Sequence, residues 1–538
     1  MLSLLSVMTL APRFLVRLIA SRRMHRLQRK LRAAGAGPAH QRRIFAALMA
    51  AHAGTEFGRL HGLGPRTSYP EYRTQVPLRT PAEFGGWIER MAAGAPDVLW
   101  PGRCRFFVYT AGTVDGTPKP LPATPAMLAH FRAALADALL LHAAQTGQPE
   151  LFLGRHLHVG ASTALNESGG AYAGYLDAMV PLALSEWSES NLYAPPPAIA
   201  RLSAGAEKMQ AIAERCATLD VRLLAGTPAS LTALIDAMRN RHGADKQPVP
   251  HLRAVWRDLG CCVHTGSILG IFGDALRAGL GPNVPLHEIY AGAEGLYAAQ
   301  DGDSGAGLRL LTDTGLFFEF LPARELIEGN LAALGGRCVP LEEVQTDTDY
   351  AIVVTTPAGL CRCLVGDSVR FVSTQPPRLV FTGRTPLQLN SFDEHVTERE
   401  VTAALLAVCG RNEWTAVNFH VAPYFTRLVP RPQGSHEWWV ELRPGTVRTP
   451  TGPLLAAELD AELSRNQSTY TARRANGALE APIVRLVMPG TFDEWTRLHG
   501  VREGAGNLAR CRGDRRVADQ LAGIARFHTQ PPMRGDGN

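Results

Sequence analysis

The sequence predicts an α/β fold, with a large N-terminal domain of mixed and parallel sheets and helices followed by a smaller α+β domain. At 538 residues the chain is too long for one ordinary hydrophobic core. From residue 125 to about 335, helical and strand-like segments alternate, a pattern typical of parallel sheet. The pattern changes around residues 378–390, so we expect one domain at 1–385 and a second at 386–538.

The first residues predict an amphipathic helical segment at 1–24, in which Arg13 and Arg17 alternate with apolar residues at helical spacing. These arginines interrupt the apolar stretch before it reaches the length of a bilayer, so we expect no stable membrane insertion. We expect the helix to dock on the body of the protein, with a membrane-surface anchor as the alternative. Residues 25–55 continue with a helical pattern.

In the alternating region, the spacing of apolar residues predicts each element. Helices are expected at 125–146, 204–217, 229–241 and 266–279, and strands at 151–153, 221–225, 252–256 and 286–290. Two further segments, 316–320 and 350–355, are expected to add antiparallel strands near a sheet edge. In the second domain, strands are expected at 414–421, 437–442 and 483–487, with helices at 397–409 and 452–465.

The composition excludes several classes of function. With 46% hydrophobic and 19% charged residues, the chain is ordinary for a globular protein. Its net charge of +6 comes from scattered arginines, so we expect no nucleic-acid partner. Nine cysteines without a CxxC pair argue against zinc and favour reduced structural thiols in a cytoplasmic protein. The lysines are Lys30, Lys119, Lys208 and Lys246, with none later in the chain.

The first motif, at residues 106–119, is an apolar strand-like run that enters a loop of small and hydroxyl-bearing residues and ends at Lys119. Its loop contains Thr110, Ala111, Gly112 and Thr113. Small residues let the backbone approach a polyphosphate, while hydroxyls and N–H groups donate to its oxygens and the lysine adds a positive charge. Taken alone, a solvated turn explains the loop better than a phosphate site.

Two further motifs end in carboxylates. At residues 289–295, Tyr290 is suited to stack on a base, small residues admit a nucleotide, and Glu294 is suited to hold Mg²⁺. At residues 359–367, Asp367 follows a glycine turn and is suited to grip a ribose diol, and Arg384 lies close behind it. A solvated glutamate at a strand end and a solvated loop aspartate are about equally good interpretations of either motif alone.

In this order and with these separations, the three motifs resemble those of the adenylate-forming superfamily of acyl-CoA synthetases, adenylation domains and luciferases. The finer resemblance is to the auxin-responsive acyl-acid amido synthetases (Gretchen Hagen 3 family), including its bacterial members. It extends from about residue 20 to about 525, and further supporting stretches lie at 55–58, 98–102, 118–124, 225–228, 318–322 and 489–495.

The resemblance implies a ligase that forms carbon–nitrogen bonds in two steps. A carboxylic acid reacts with Mg·ATP to give an acyl-adenylate and pyrophosphate, and an amine, usually of an amino acid, then displaces AMP. A monomer is expected, with a mobile small domain that closes the site between the two steps. The cofactors implied are ATP and Mg²⁺.

The same resemblance assigns roles by position. The catalytic residues would be Lys119, Glu294, Arg384 and Arg510, with Glu294 as the metal ligand. The ATP-binding residues would be Thr110, Ala111, Gly112, Thr113, Tyr290, Ala291, Gly292, Ala293, Glu294, Asp367 and Arg384. The substrate pocket would be lined by Gly226, Thr227 and His264.

The chain departs from the family pattern at several of these positions. Ala111 and the pair Gly292-Ala293 replace hydroxyl residues, and cysteines replace the aromatic residues around the arginine of the third motif. Asn507 stands where the family has a catalytic lysine, so Arg510 or Arg512 would have to supply the charge. Three hypotheses stay open: an amide synthetase, a relative that forms a thioester or ester or takes an adenylate made elsewhere, and a non-catalytic nucleotide-binding protein.

Overall fold

A computed structural model describes most of the chain. The described residues are 13–32, 36–110, 118–241, 249–265, 269–302, 305–328, 331–385, 388–427, 432–445, 449–499 and 508–526. They form two compact units, the first within 1–267 and 273–380 and the second within 269–272, 381–499 and 508–526. The division after Val380 lies shortly before the expected boundary at residue 385.

The elements follow the expected alternation closely. The α-helices of the described residues are α1 (Arg13–Arg32), α2 (Ala36–His52), α3 (Glu56–Leu60), α4 (Tyr69–Gln75), α5 (Gly85–Ala92), α6 (Pro125–Thr146), α7 (Leu176–Ala183), α8 (Glu186–Asn191), α9 (Pro197–Ala200), α10 (Ala206–Arg215), α11 (Pro228–Arg239), α12 (Leu252–Val255), α13 (Gly273–Leu280), α14 (Glu325–Glu328), α15 (Glu398–Arg411), α16 (Gly452–Asn466), α17 (Ser468–Ala475), α18 (Thr491–His499) and α19 (Arg516–Ile524). The strands are β1 (Phe106–Tyr109), β2 (Pro120–Pro122), β3 (Arg155–Val159), β4 (Asn166–Ser168), β5 (Ala171–Gly174), β6 (Tyr193–Ala194), β7 (Val221–Gly226), β8 (Cys261–His264), β9 (Leu286–Gly292), β10 (Gly295–Gln300), β11 (Leu308–Leu310), β12 (Phe317–Pro322), β13 (Val339–Pro340), β14 (Asp349–Thr355), β15 (Cys363–Thr374), β16 (Pro377–Arg384), β17 (Ala416–Arg427), β18 (Gln433–Leu442) and β19 (Ile483–Val487).

The largest sheet has twelve strands in the order β13-β12-β14-β15-β16-β11-β10-β9-β8-β7-β3-β6. Strands β6, β3, β7, β8 and β9 are parallel to one another, as the alternation of helices and strands predicts. The pairs β12–β14 and β14–β15 are antiparallel and lie toward one edge, which confirms the expected antiparallel additions. A smaller sheet of order β2-β1-β5-β4 carries the first motif.

Two expected strands are wrong. Residues 151–153 belong to the 3₁₀ helix Pro149–Leu153, whose first position is a proline suited to open a helical turn, and the strand follows as β3. Residues 252–255 form the short helix α12, because the His251 side chain accepts a hydrogen bond from the Ala254 N–H and caps it. The strand of that region is β8, a fully buried run that lies between β7 and β9.

Helix α6 is the long core helix of the first unit. The Thr124 side chain caps it by accepting from the Met127 N–H at 3.0 Å. Its buried Ala134, Ala138 and Leu141 pack in a cluster that also contains Leu27 of α1. Among the described helices, α6 is the one that length and composition would allow to cross a membrane, and half of its most apolar window is buried in the protein, as expected of a core helix.

The second unit contains the sheet β17-β18-β19, in which β17 and β18 are antiparallel and β18 and β19 are parallel. Helices α15 and α16 pack on one core, which includes Leu405, Leu459 and Trp438. Trp439 packs in a separate cluster with residues of α18 and α19. This arrangement confirms the expected α+β character of the second part of the chain.

Candidate active site

The loop of the first motif begins where β1 ends. The Thr110 N–H donates to the Lys119 carbonyl at 2.9 Å, and the Lys119 N–H donates to Thr110 Oγ1 at 3.0 Å. These two bonds hold the ends of the loop together. The pairing of β1 with β2, which begins directly after Lys119, holds them together as well. The predicted ATP-binding residues Ala111, Gly112 and Thr113 lie outside the described residues.

The second and third motifs meet in the first unit. The Tyr290 hydroxyl donates to Asp367 Oδ2 at 2.7 Å, although the two residues are 77 positions apart in the sequence. Tyr290 ends a buried stretch of β9, and Asp367 is a half-buried residue of β15. The Tyr290 ring also packs at 4.9 Å from the ring of Tyr297. The predicted adenine and ribose residues are therefore brought together by the fold.

Glu294 lies beside this pair, in the turn between β9 and β10. It is only 7% exposed, and its Oε2 accepts from the Tyr297 hydroxyl at 3.3 Å. Burial, with a further contribution from the Glu294 carboxylate, raises the pKa of Tyr297 well above its usual range, so the hydroxyl remains a donor. The carboxylate is thus held by a permanent hydrogen-bond donor.

The two glycines around Glu294 lie in close contact with neighbouring side chains. A Cβ atom at Gly292 would stand 2.8 Å from Glu294 Oε2 and 3.0 Å from the Tyr297 hydroxyl. Gly295 has a φ of +151° and would bring a Cβ to 2.6 Å from Leu316. A side chain at 292 would therefore contact the end of the Glu294 side chain, and glycine avoids this contact.

His130 of α6 supports the same turn, and the sequence analysis missed it. Its Nε2 accepts from the Leu296 N–H at 3.0 Å, so the proton lies on Nδ1, which donates to the Thr314 carbonyl at 2.8 Å. Burial lowers the pKa of His130 to about 4, which keeps the ring neutral. A histidine inside a core helix has no neighbouring sequence signal that would reveal this role.

The residues present fit a magnesium ion bound in its usual manner. In the part of the chain that the structure describes, no group of three or more histidine, cysteine, aspartate or glutamate side chains could hold a metal ion by itself. Mg²⁺ is commonly held by one or two carboxylates together with substrate phosphates and water. Glu294, a single buried carboxylate near the predicted ribose residue, suits that mode.

The three predicted pocket residues lie at the carboxyl ends of adjacent parallel strands. Gly226 of β7 is paired in register with His264 of β8, and Thr227 caps α11 by accepting from the Ser230 N–H at 3.2 Å. His264 is 3% exposed, and its Nδ1 has no hydrogen-bond partner among the described residues. Burial lowers its pKa to about 4. This edge of a parallel sheet is where α/β proteins commonly bind ligands.

The arginine of the third motif is a structural residue. Arg362 and Glu319 form a fully buried ion pair with two bonds of 3.0 Å. The remaining Arg362 donors bond three carbonyl oxygens, those of Arg73, Val76 and Gly335. Arg362 thereby ties α4 and residues 331–337 to β12, directly before the strand that carries Asp367.

The cysteines around Arg362 are buried thiols. All nine cysteines are free and buried, as the sequence analysis expects of structural thiols. Cys361 Sγ lies 3.2 Å from His52 Nε2, yet burial raises the pKa of Cys361 to about 12 and lowers that of His52 to about 4. Both groups are therefore neutral, and they do not form a thiolate–imidazolium pair.

Two predicted cationic residues belong to the second unit. Arg384 is half-buried at the end of β16. Arg510 is built into the interior, where it bonds the Asn418 side chain and stacks over Phe419 at 5.4 Å and Phe272 at 5.8 Å. Burial lowers the pKa of Arg510 to about 10. Its contacts are those of a packing residue, and Asn507 lies outside the described residues.

Two solved structures have a fold similar to that of this chain. The GH3.15 acyl acid amido synthetase in complex with 2,4-DB matches 95% of this chain and 96% of its own, at a TM-score of 0.72 and 17% identity. The 2-hydroxyisobutyryl-CoA ligase in complex with 2-HIB-AMP matches 91% of this chain and 92% of its own, at a TM-score of 0.56 and 17% identity. At these identities the similarity shows that the chain shares the fold of these two proteins.

Three models of one family match the sequence. The GH3 family N-terminal domain matches residues 24–179, the central domain matches 309–384 and the C-terminal domain matches 399–507. Together they cover more than half of the chain. The chain belongs to the GH3 family, which confirms the resemblance seen in the three motifs.

Curated relatives match over a shorter stretch. Indole-3-acetic acid-amido synthetase GH3.8 of Oryza sativa subsp. indica is 27% identical over 232 residues, which are 39% of this chain and 38% of that protein. The GH3 domain-containing protein of Mus musculus is 30% identical over 185 residues, which are 33% of this chain and 32% of that protein. The chain thus matches well under half the length of these relatives.

Proposed function

We propose that this protein is an ATP-dependent acyl-acid amido synthetase, a ligase that forms a carbon–nitrogen bond. The observation that carries the proposal is the hydrogen bond from Tyr290 to Asp367 beside the buried Glu294. It joins two of the three family motifs at one place. Membership of the GH3 family supports the same reaction class, since a rice relative and a structural neighbour are named amido synthetases.

In the proposed first step, a carboxylate oxygen of the acid attacks the α-phosphorus of ATP. The bond from that phosphorus to the pyrophosphate oxygen breaks, which leaves an acyl-adenylate. Thr110 and Lys119 face the phosphates from the ends of the first motif, and Asp367 accepts from the ribose hydroxyls. Mg²⁺, held by Glu294 and phosphate oxygens, would neutralise charge on the phosphates when bound.

In the proposed second step, an amine nitrogen attacks the acyl carbon. A carbon–nitrogen bond forms, the bond to the AMP oxygen breaks, and the nitrogen loses a proton to solvent. Gly226, Thr227 and His264 line the acid pocket in this proposal. Because His264 is neutral and buried, it suits a polar but uncharged part of the acid better than a second carboxylate.

The positively charged residues of the first step can be narrowed down because the chain has only four lysines. Lys208 is buried, and its Nζ donates to the Ala161 and Ala200 carbonyls at 2.7 and 3.0 Å, so it is a structural residue. Arg510 is a packing residue of the second unit. We therefore assign the phosphate-facing charge of the first unit to Lys119 and propose Arg384 as a further cationic residue of the reaction. We expect a cytoplasmic monomer that joins a small carboxylic acid to an amino acid.

The test is pyrophosphate release from Mg·ATP with a panel of aromatic, indolic and fatty acids, with and without amino acids. Release that depends on one acid and falls at least about tenfold in Asp367→Ala supports the proposal. Asp236→Ala, at an exposed position of α11, is the matched control and leaves the rate unchanged. Amide product identified by mass spectrometry distinguishes this activity from thioester formation, for which coenzyme A is added in place of the amine.

No release with any acid, combined with a melting temperature that ATP still raises, would contradict the proposal. That outcome would identify a nucleotide-binding relative without catalysis. Release that stays equally fast in Asp367→Ala would contradict the assignment of the ribose residue instead.

A further inference from the structure

Helix α1 is anchored to the first unit along one face. Ala20 and Leu27 are buried, and Leu27 packs into the cluster formed around α6. Arg17 pairs with Glu150 at 2.8 Å, and Arg13 pairs with Asp220 at 3.5 Å. The predicted docking of this helix on the body of the protein is confirmed. The opposite face of the helix therefore points away from the first unit.

The opposite face exposes a cluster of large apolar side chains. Phe14 is 66% exposed, and Leu15, Leu18 and Ile19 are each 38–39% exposed. They adjoin one another, since residues three and four positions apart are neighbours on a helix. The other exposed large apolar side chains of the described residues are scattered singly through the chain, whereas these four lie within six consecutive positions.

The same face becomes basic toward the end of the helix. One ridge, at intervals of four residues, runs from Phe14 and Leu18 to Arg22 and Arg26, and these arginines are exposed. Arg23 and Arg29 are exposed as well, and α1 contains no acidic residue. The exposed face is therefore apolar in its first half and cationic in its second half.

The apolar half of this face lies before the residues that the family model matches. The matched N-terminal domain begins at residue 24, so Phe14, Leu15, Leu18 and Ile19 precede it. Residues 1–12 of the sequence contain no charged side chain and extend the apolar character of this end.

We propose that this face, Phe14 to Arg29, docks the protein on an anionic lipid surface. The apolar half would enter the boundary between headgroups and acyl chains, while the arginines would contact the anionic headgroups. A second copy of the chain is a poorer occupant. Two identical faces would bring arginines against arginines in a parallel pairing, and arginines against apolar side chains in an antiparallel pairing. Binding of this kind is peripheral and differs from insertion across the membrane.

The test is sedimentation of the purified full chain with vesicles. The chain is expected to pellet with an equal mixture of phosphatidylcholine and phosphatidylglycerol, and to stay in solution with phosphatidylcholine alone. Raising the salt concentration lowers the bound fraction. The double variants Leu15→Ser/Leu18→Ser and Arg22→Gln/Arg26→Gln each lower the partition constant about tenfold or more.

The matched control is Leu60→Ser, which removes an exposed leucine of α3 outside the proposed face. It binds vesicles like the unaltered chain, and unchanged circular dichroism confirms that all variants are folded. Equal binding of the double variants and the unaltered chain would overturn the proposal, as would equal binding to neutral and anionic vesicles. A dimer in analytical ultracentrifugation that Leu15→Ser/Leu18→Ser dissociates, without vesicle binding, would assign the face to a second copy and also overturn it.

Discussion

Replacing Glu319 by glutamine tests whether the buried ion pair with Arg362 holds the first unit together. The two side chains are 1% and 0% exposed, so water cannot solvate the charge that remains after the substitution. Burial lowers the pKa of Arg362, but Glu319, Cys338 and Tyr72 together raise it by more, so the pKa lies above its usual range. The arginine therefore stays charged, and Glu319→Gln leaves that charge uncompensated.

The structure sets the size of the effect. Glu319 accepts two bonds of 3.0 Å from Arg362 and one of 3.0 Å from the Tyr69 hydroxyl. Glutamine can accept one of the arginine bonds through its carbonyl oxygen, but its NH₂ group then faces an N–H donor of Arg362. Breaking a buried pair by removing one partner typically costs about 3–5 kcal/mol, and we expect a loss of stability in that range.

The assay is urea unfolding followed by circular dichroism, with Glu56→Gln as the matched control. Glu56 pairs with Arg90 on the surface, where both side chains are substantially exposed, so its substitution should leave the unfolding midpoint nearly unchanged. The double variant Glu319→Gln/Arg362→Gln should lose less stability than the two single losses added together, because no buried charge is left. Equal small shifts for Glu319→Gln and Glu56→Gln would refute the reasoning.

Three further predictions concern the candidate site and pH. Tyr290→Phe removes a hydrogen bond to the Asp367 carboxylate worth about 1.5–3 kcal/mol, so the KM for ATP in pyrophosphate release should rise at least about tenfold. The control Tyr172→Phe should leave this KM unchanged, and an unchanged KM in Tyr290→Phe would contradict the role of the bond. Gly292→Ser places a Cβ against Glu294 and should raise the Mg²⁺ concentration needed for half-maximal release, whereas a lower requirement would show that the family's hydroxyl is tolerated here. Stability should fall as the pH drops from 6.5 toward about 4, because the unfolded chain takes up protons on histidines that stay neutral in the folded protein. A melting temperature that stays constant over this range would contradict the burial of these histidines. They are His52, His130, His142, His156, His264 and His420.

The sequence by itself determined the fold class and the motif positions. Regular alternation of helical and strand-like segments from residue 125 onward is a local pattern, and the parallel strands follow from it. The three motifs also lie in short stretches, which is why family membership could be predicted from them. Thr110, Lys119, Tyr290, Glu294 and Asp367 were singled out within those motifs, and their roles were assigned by the family resemblance.

The short apolar segments at 151–153 and 252–256 were misjudged as strands. Three to five apolar residues fit a strand and a helical turn equally well, and flanking residues decide between them. Pro149 opens a 3₁₀ helix in the first segment, and the side chain of His251 caps a helix in the second. The strand β8 was missed, because its run of four buried residues lacks the alternation of a half-exposed strand.

Only the tertiary structure decided how the motifs are joined. The bond from Tyr290 to Asp367 crosses 77 residues, and His130 reaches the turn after Glu294 from a helix 166 residues earlier. Arg510 has the same charge as the lysine that the family carries, yet its surroundings make it a packing residue. A sequence shows which chemical groups are available, but burial and partner geometry depend on residues far apart in the chain, and these decide whether a group holds a ligand or holds the fold.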